Sequence, residues 1–99
     1  MIQRRVILIE DEYFISYLYK RQLDLASIPT DTFATAGEGL MALKQHHYDL
    51  LLLDMMLPDS DGIEILKKIR ADEALKELPV IIMTNLSQEA VIQDAKSLG

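Results

Sequence analysis

Acidic residues stand directly after two of the three strongly apolar runs in this sequence, and a hydroxyl stands after the third. Glu10 and Asp11 follow Val6-Ile7-Leu8-Ile9, Asp54 closes Leu50-Leu51-Leu52-Leu53, and Thr84 with Asn85 follows Val80-Ile81-Ile82-Met83. If those runs are neighbouring parallel strands, their carboxyl ends share one rim, where open α/β sheets bind ligands. Three carboxylates and a hydroxyl then converge. Crowded like charges raise one another's pKa unless a cation or a proton offsets them. An all-oxygen set suits a hard divalent ion, and Mg2+ commonly takes only part of its octahedron from protein. The other positions are open to water and to a ligand oxygen, above all that of a phosphoryl group.

Each residue also has a plainer reading. Glu10 and Asp11 can be acids at a helix N-terminus, favouring the helix dipole and capping its free N–H groups. Thr84 alone is a β-branched strand residue; its place opposite Asp54 is what singles it out. Asp54 resists such a reading, because a carboxylate after four leucines sits at the mouth of the core.

The elements that must position these groups follow from periodicity. Val6–Ile9 reads as a strand apolar on both faces. Phe14, Tyr17, Leu18 and Leu25 lie on one helical face, with Asp11 as a cap and Pro29 beyond the end. The polar, Thr-rich stretch 30–35 reads as an edge strand. Residues 37–47 carry Leu40 and Leu43 on a helical face, and 49–54 form the second buried strand. Pro58 to Gly62 is turn chemistry, leading to a helix with Ile63, Leu66 and Ile69 aligned. Pro79 opens a third buried strand, Val80–Met83, and Ser87 caps a last helix over 87–98. The order β-α-β-α-β-α-β-α predicts a parallel sheet, doubly wound, with helices on both faces.

Composition narrows the function. The 99 residues bound the chain to one domain, and 49% apolar with 26% charged is a globular balance. Ten Lys and Arg against 16 Asp and Glu leave a net charge of −6, which argues against direct nucleic-acid binding. No apolar run approaches the roughly 18 residues that cross a bilayer, so no membrane partner is expected. The N-terminus shows no signal peptide, and the absence of cysteine suits a reducing cytoplasm.

Two other motifs are set aside. Gly37-Glu38-Gly39-Leu40-Met41-Ala42 fits a dinucleotide fingerprint, but Glu38 would oppose a pyrophosphate and the preceding strand is polar. Side chains of His46 and His47 would point about 100° apart on a helix, so a solvated helix end is the better account than a metal pair. The five scattered Met residues read as packing.

Taken together, the acidic pair after the first strand, Tyr48-Asp49-Leu50-Leu51-Leu52-Leu53-Asp54, the loop Met55-Met56-Leu57-Pro58-Asp59-Ser60-Asp61-Gly62, and Pro79-Val80-Ile81-Ile82-Met83-Thr84 resemble the receiver domain of two-component response regulators, collinearly from Val6 to Gly99. The resemblance implies a three-layer, flavodoxin-like sheet in the order 2-1-3-4, with residues 1–99 as a single receiver domain. It implies Asp54 as phosphoacceptor, taking a phosphoryl group from a sensor histidine kinase, a phosphotransfer protein or a small phosphodonor. Glu10, Asp11, Asp54 and the backbone carbonyl of Met56 would hold Mg2+. Thr84 would hydrogen-bond a phosphoryl oxygen and report phosphorylation to the helix at 87–98, while Pro58 and Gly62 shape the loop.

Asn85 departs from the small residue common in the family beside Thr84. The family also continues into a fifth strand, a Lys at its end and a fifth helix, which a sequence ending at Gly99 lacks. The expectation is therefore a truncated receiver that self-associates, as a homo-oligomer such as a dimer, through the edge at 80–84 or the face of the helix at 13–25. Large apolar side chains left in water forfeit about 1.5–3 kcal/mol each, a serious loss for a domain stable by about 5–15 kcal/mol. Two rivals are weighed. One is an interaction or assembly module that works without phosphorylation. The other is a Mg2+-dependent phosphatase of the haloacid-dehalogenase type, which needs a second acid two residues after Asp54, where Met56 stands.

Overall fold

The computed structural model describes residues 4–55 and 57–83. Among these residues seven elements alternate: β1 (Val6–Ile9), α1 (Tyr13–Leu25), β2 (Thr30–Phe33), α2 (Ala36–Gln45), β3 (Leu50–Asp54), α3 (Gly62–Ala71) and β4 (Val80–Met83). The strands form one parallel sheet in the order β2-β1-β3-β4. The chain moves from β1 to β2 on one side and crosses back to β3 on the other. That reversal makes the gap beyond the ends of β1 and β3 the switch point of the sheet. Both the parallel order and the edge position of β2 match the sequence expectation. The anticipated helix over 87–98 lies outside the described residues, as do Thr84 and Asn85.

Strand composition explains the sheet. All four residues of β1 are buried, and so are Leu51, Leu52 and Leu53 of β3. Such strands need cover on both faces. Ile7, Ile9, Leu51 and Leu53 point to the layer of α2 and α3, where they meet Leu43, Ile65 and Ile69. Val6, Leu8 and Leu52 point the other way, toward Leu23 of α1 and Ile28. The three-layer arrangement follows. At the amino-terminal rim the Tyr48 hydroxyl donates to Asp31 (2.6 Å), which also accepts from the Arg5 guanidinium (2.9 Å). This clasp joins the start of the sheet far from the acidic end.

Local chemistry sets the helix ends. Thr35 accepts the Glu38 N–H (3.3 Å) and donates its hydroxyl to the Glu38 carboxylate (3.0 Å), so α2 starts at Ala36 and β2 stops at Phe33 rather than at 35. Asp61 caps α3 by accepting the Glu64 N–H (2.9 Å). His46 is the C-cap of α2, so His47 falls beyond the helix, where it meets Asp49 at 3.2 Å. The buried side of α3 is Ile65, Leu66 and Ile69, with Ile63 only partly covered.

Helix α1 departs from expectation at its start. Its N-cap is Glu12, not Asp11, and no side chain caps it. The face named above as a surface for self-association points outward: Phe14 is 69% exposed and Leu25 72%, with Tyr17 and Leu18 nearly half exposed. Ile15 and Leu23, partly buried, face the sheet instead. Both stripes recur at helical spacing, so periodicity alone could not tell inside from outside.

Candidate functional site

Parallel register brings the acidic residues together. Ile9 pairs with Leu53, so Glu10 and Asp54 leave the sheet side by side one residue later. The Glu10 N–H donates to the Phe33 carbonyl (2.9 Å), continuing the β1–β2 ladder and aiming the next residues over the rim. Glu10, Asp11 and Asp54 each offer a carboxylate oxygen, and these oxygens all lie within 4.8 Å of one another. Glu10 is buried, Asp54 half-buried and Asp11 exposed.

Burial dominates the electrostatics. It pushes the Glu10 carboxyl up to about 7, against a hydrogen bond from the Glu12 N–H (3.0 Å) that pulls it down. The charges of Asp54 and Asp11 and a hydrogen bond shared with Asp54 push further in the same direction as burial. A proton taken up by Glu10 would partly offset the crowded negative charge. A divalent cation would offset it more fully, and the all-oxygen donor set fits a hard ion. Beside the carboxylates lies a cavity of about 380 Å3, lined by Ile15, Tyr19, Leu52 and Met83 as well as Glu10 and Asp54.

The loop after Asp54 is closely held. Met55 is buried, and its carbonyl accepts the Gly62 N–H (2.8 Å). A Cβ on residue 62 would come within 2.8 Å of the Met55 Cα, which is why the turn closes on glycine. Leu57 N–H donates to the Ser60 carbonyl (3.2 Å). Asp59 reaches sideways, accepting the N–H groups of Ala36 (2.8 Å) and Gly37 (3.0 Å) at the start of α2. Those two bonds hold its carboxyl below the usual range. They also fill the helix terminus that the glycine motif at 37–42 would have to offer a pyrophosphate. Gly39 serves packing, because a Cβ there would meet Ile9 of β1.

Of the residues singled out from sequence, Glu10, Asp11 and Asp54 come together. Met56 and Thr84 lie outside the described residues. His46 and His47 sit at the opposite end of the sheet, beside a larger cavity of about 490 Å3 that also meets Tyr48, Asp49 and Leu78. Among the described residues, no acidic cluster accompanies that cavity. Sequence reasoning placed Asp59 only within a turn and missed its bond to α2. The partner is more than twenty residues away, so no local spacing announces it.

The sequence model of the response regulator receiver domain matches residues 6–99. The chain belongs to the response regulator receiver family. Among curated receivers, sporulation initiation phosphotransferase F of Bacillus subtilis (strain 168) is 34% identical over 100 residues, spanning the whole of this chain and 78% of that protein. The polar-differentiation response regulator DivK of Brucella ovis is 31% identical over 81 residues, or 82% of this chain and 66% of DivK. The phosphate regulon transcriptional regulatory protein PhoB of Rhizobium meliloti is 31% identical over 86 residues, covering 87% of this chain but 38% of PhoB. The phosphorylated cyanobacterial phytochrome response regulator RcpA superposes with a TM-score of 0.92 at 27% identity, over 98% of this chain and 76% of RcpA. Chemotaxis response regulator CheY4 of Vibrio cholerae gives 0.91 at 22% identity, covering 99% and 82%, which speaks for the receiver fold alone. No helix among the described residues is long and apolar enough to cross a membrane.

Proposed function

We propose that this receiver accepts a phosphoryl group on Asp54 in a Mg2+-dependent reaction. The observation that carries the reading is the meeting of Glu10, Asp11 and Asp54 oxygens within 4.8 Å at the switch point of the sheet. Glu10, Asp11 and Asp54 would hold the ion, with the Met56 carbonyl as a further ligand. Bound there, Mg2+ supplies positive charge that offsets the carboxylates and the incoming phosphoryl oxygens. An Asp54 carboxylate oxygen attacks phosphorus, the bond from phosphorus to the donor breaks, and an acyl phosphate forms on Asp54. With phosphohistidine as donor, the imidazole leaves and takes up a proton. Thr84 would hydrogen-bond a phosphoryl oxygen and carry the change to the segment after it.

The partner that fits is a sensor histidine kinase or a phosphotransfer protein, in a cytoplasm that the cysteine-free composition suits. The chain also self-associates in this reading, through the edge at 80–84 or the outer face of α1. Support comes from Ile81, 53% exposed on β4, and from the apolar stripe Phe14, Tyr17, Leu18 and Leu25. The same stripe favours a second reading, an assembly module that works without phosphorylation.

Incubation with acetyl phosphate or fluoroberyllate and Mg2+ separates the two. The phosphoacceptor gains one phosphoryl group or binds the mimic, and Asp54→Asn abolishes both. No gain and no binding would leave the assembly module, with light scattering to report its mass.

A further inference from the structure

We propose that Asp59 is a positioning residue for the acidic site, holding the loop that leaves Asp54 at a fixed distance from the Glu10–Asp11 side. This rests on the reading of Asp54 as a magnesium-dependent phosphoacceptor. The first N–H groups of α2 have no partner within the helix. A helix usually satisfies these from its own cap residue or from water. Here Thr35 takes the N–H of Glu38, while Asp59 takes those of Ala36 and Gly37, one with each carboxylate oxygen. A carboxylate on two helix-terminal N–H groups makes charge-assisted bonds, favoured again by the helix dipole. The residue supplying it belongs to the turn between β3 and α3, whose other hydrogen bonds among the described residues stay within the turn and the start of α3. Met55 joins Gly62, Leu57 joins Ser60, and Asp61 caps α3.

Among the described residues, Asp59 therefore carries the hydrogen-bonded tie from this turn to α2, beside the packing of Leu57 against the core. Helix α2 is in turn seated on β1 through Gly39, which lies so close to Ile9 that no Cβ fits between them. Ile9 is the residue before Glu10. A closed ring of contacts results: Asp54, the turn, Asp59, the start of α2, Gly39, Ile9 and Glu10. Two adjacent strands place Glu10 beside Asp54, and Met55 beyond it is packed against Leu66 of α3. Opening the ring at Asp59 loosens the turn at residues 57–60 while leaving the sheet register intact. Asp59 itself is not a ligand. Its two oxygens are spent on α2, and it is absent from the cluster formed by Glu10, Asp11 and Asp54.

The test compares Asp59→Ala and Asp59→Asn with Thr35→Ala in the full chain. Thr35→Ala weakens the same helix terminus without touching the turn, so it controls for loss of a cap. Amide hydrogen exchange of residues 57, 59 and 60 is expected to speed up in Asp59→Ala and to stay unchanged in Thr35→Ala. Mg2+ titration followed by the amide signals of residues 10–12 and 54–55 is expected to show affinity weakened roughly three- to tenfold in Asp59→Ala. Asp59→Asn, which keeps one acceptor oxygen, should fall between, and Thr35→Ala should match wild type. With acetyl phosphate as donor, the loss in Asp59→Ala should vanish at saturating Mg2+. Equal exchange and equal Mg2+ affinity in all four proteins would overturn the proposal. A wild-type chain that takes no phosphoryl group would sink the phosphoacceptor reading alone, because the exchange comparison still decides the role of Asp59.

Discussion

Glu10 and Asp54 stand side by side where β1 and β3 end, with carboxylate oxygens within 4.8 Å of each other. Burial and the neighbouring charges of Asp54 and Asp11 disfavour the ionised form of Glu10. Its pKa of about 7 lies above the ordinary 4.5 of the unfolded chain. A group raised in this way stabilises the fold fully below its unfolded pKa, and that contribution is lost as pH rises through the folded value. Without metal, the melting temperature should therefore fall between pH 4.5 and 7 more steeply in wild type than in Glu10→Gln, whose amide mimics the protonated acid. Mg2+ should reverse the trend by competing with the proton, raising the melting temperature more at pH 8 than at pH 6. Parallel pH profiles for the two proteins would show that Glu10 does not hold this proton.

Gly62 tests the turn from its other side. Alanine there would set a Cβ against the backbone of Met55, and backbone cannot swing away as a side chain can. Gly62→Ala should cost about 1–3 kcal/mol in urea unfolding, the range for an overpacked site. It should also weaken Mg2+ binding, because the strain falls on the residue next to Asp54. Wild-type stability would mean the turn is looser than described.

Ser27 predicts a gain. It follows the C-cap of α1 with φ of 62°, a left-handed conformation that glycine adopts without Cβ strain. Its N–H and that of Ile28 close the helix end on Asp24 and Leu23, both at 2.9 Å. Ser27→Gly should raise stability by about 0.5–1 kcal/mol, the strain relieved less the added freedom of the unfolded chain. A loss of stability would contradict the left-handed end.

The outward face of α1 can be separated from the core by a pair of substitutions. Ile65 is fully buried, and Ile65→Ala should cost about 2–5 kcal/mol. Phe14 is 69% exposed, and Phe14→Ser should stay within about 0.5 kcal/mol of wild type when the chain is dilute. If this face mediates self-association, Phe14→Ser also lowers the mass seen by light scattering at high concentration. A large loss of stability in dilute Phe14→Ser would return Phe14 to the core.

The sheet was legible because its evidence is local. Val6–Ile9 and Val80–Met83 are four-residue apolar runs bounded by charge or proline, and Leu50–Asp54 adds its terminal acid. Alternation with helices then fixes parallel pairing, which brings Glu10 and Asp54 together. Helix α1 was only partly legible, because Ile15 and Leu23, which face the sheet, recur at helical spacing just as the outer residues do. Asp11 resembled a cap, but the Glu10 side chain takes the Glu12 N–H, and exposed Asp11 turns its carboxylate to the cluster instead. The capping pairs Thr35–Glu38 and Asp61–Glu64 stand three residues apart and could have been read in advance. The reach of Asp59 to Ala36 and Gly37 could not, because only the folded sheet sets those segments side by side.

Intact mass spectrometry after incubation with acetyl phosphate and Mg2+ tests the central claim most directly. The account predicts a gain of one phosphoryl group that needs Mg2+, maps to Asp54 and disappears in Asp54→Asn. An unmodified chain, or a modification that persists in Asp54→Asn, would contradict it.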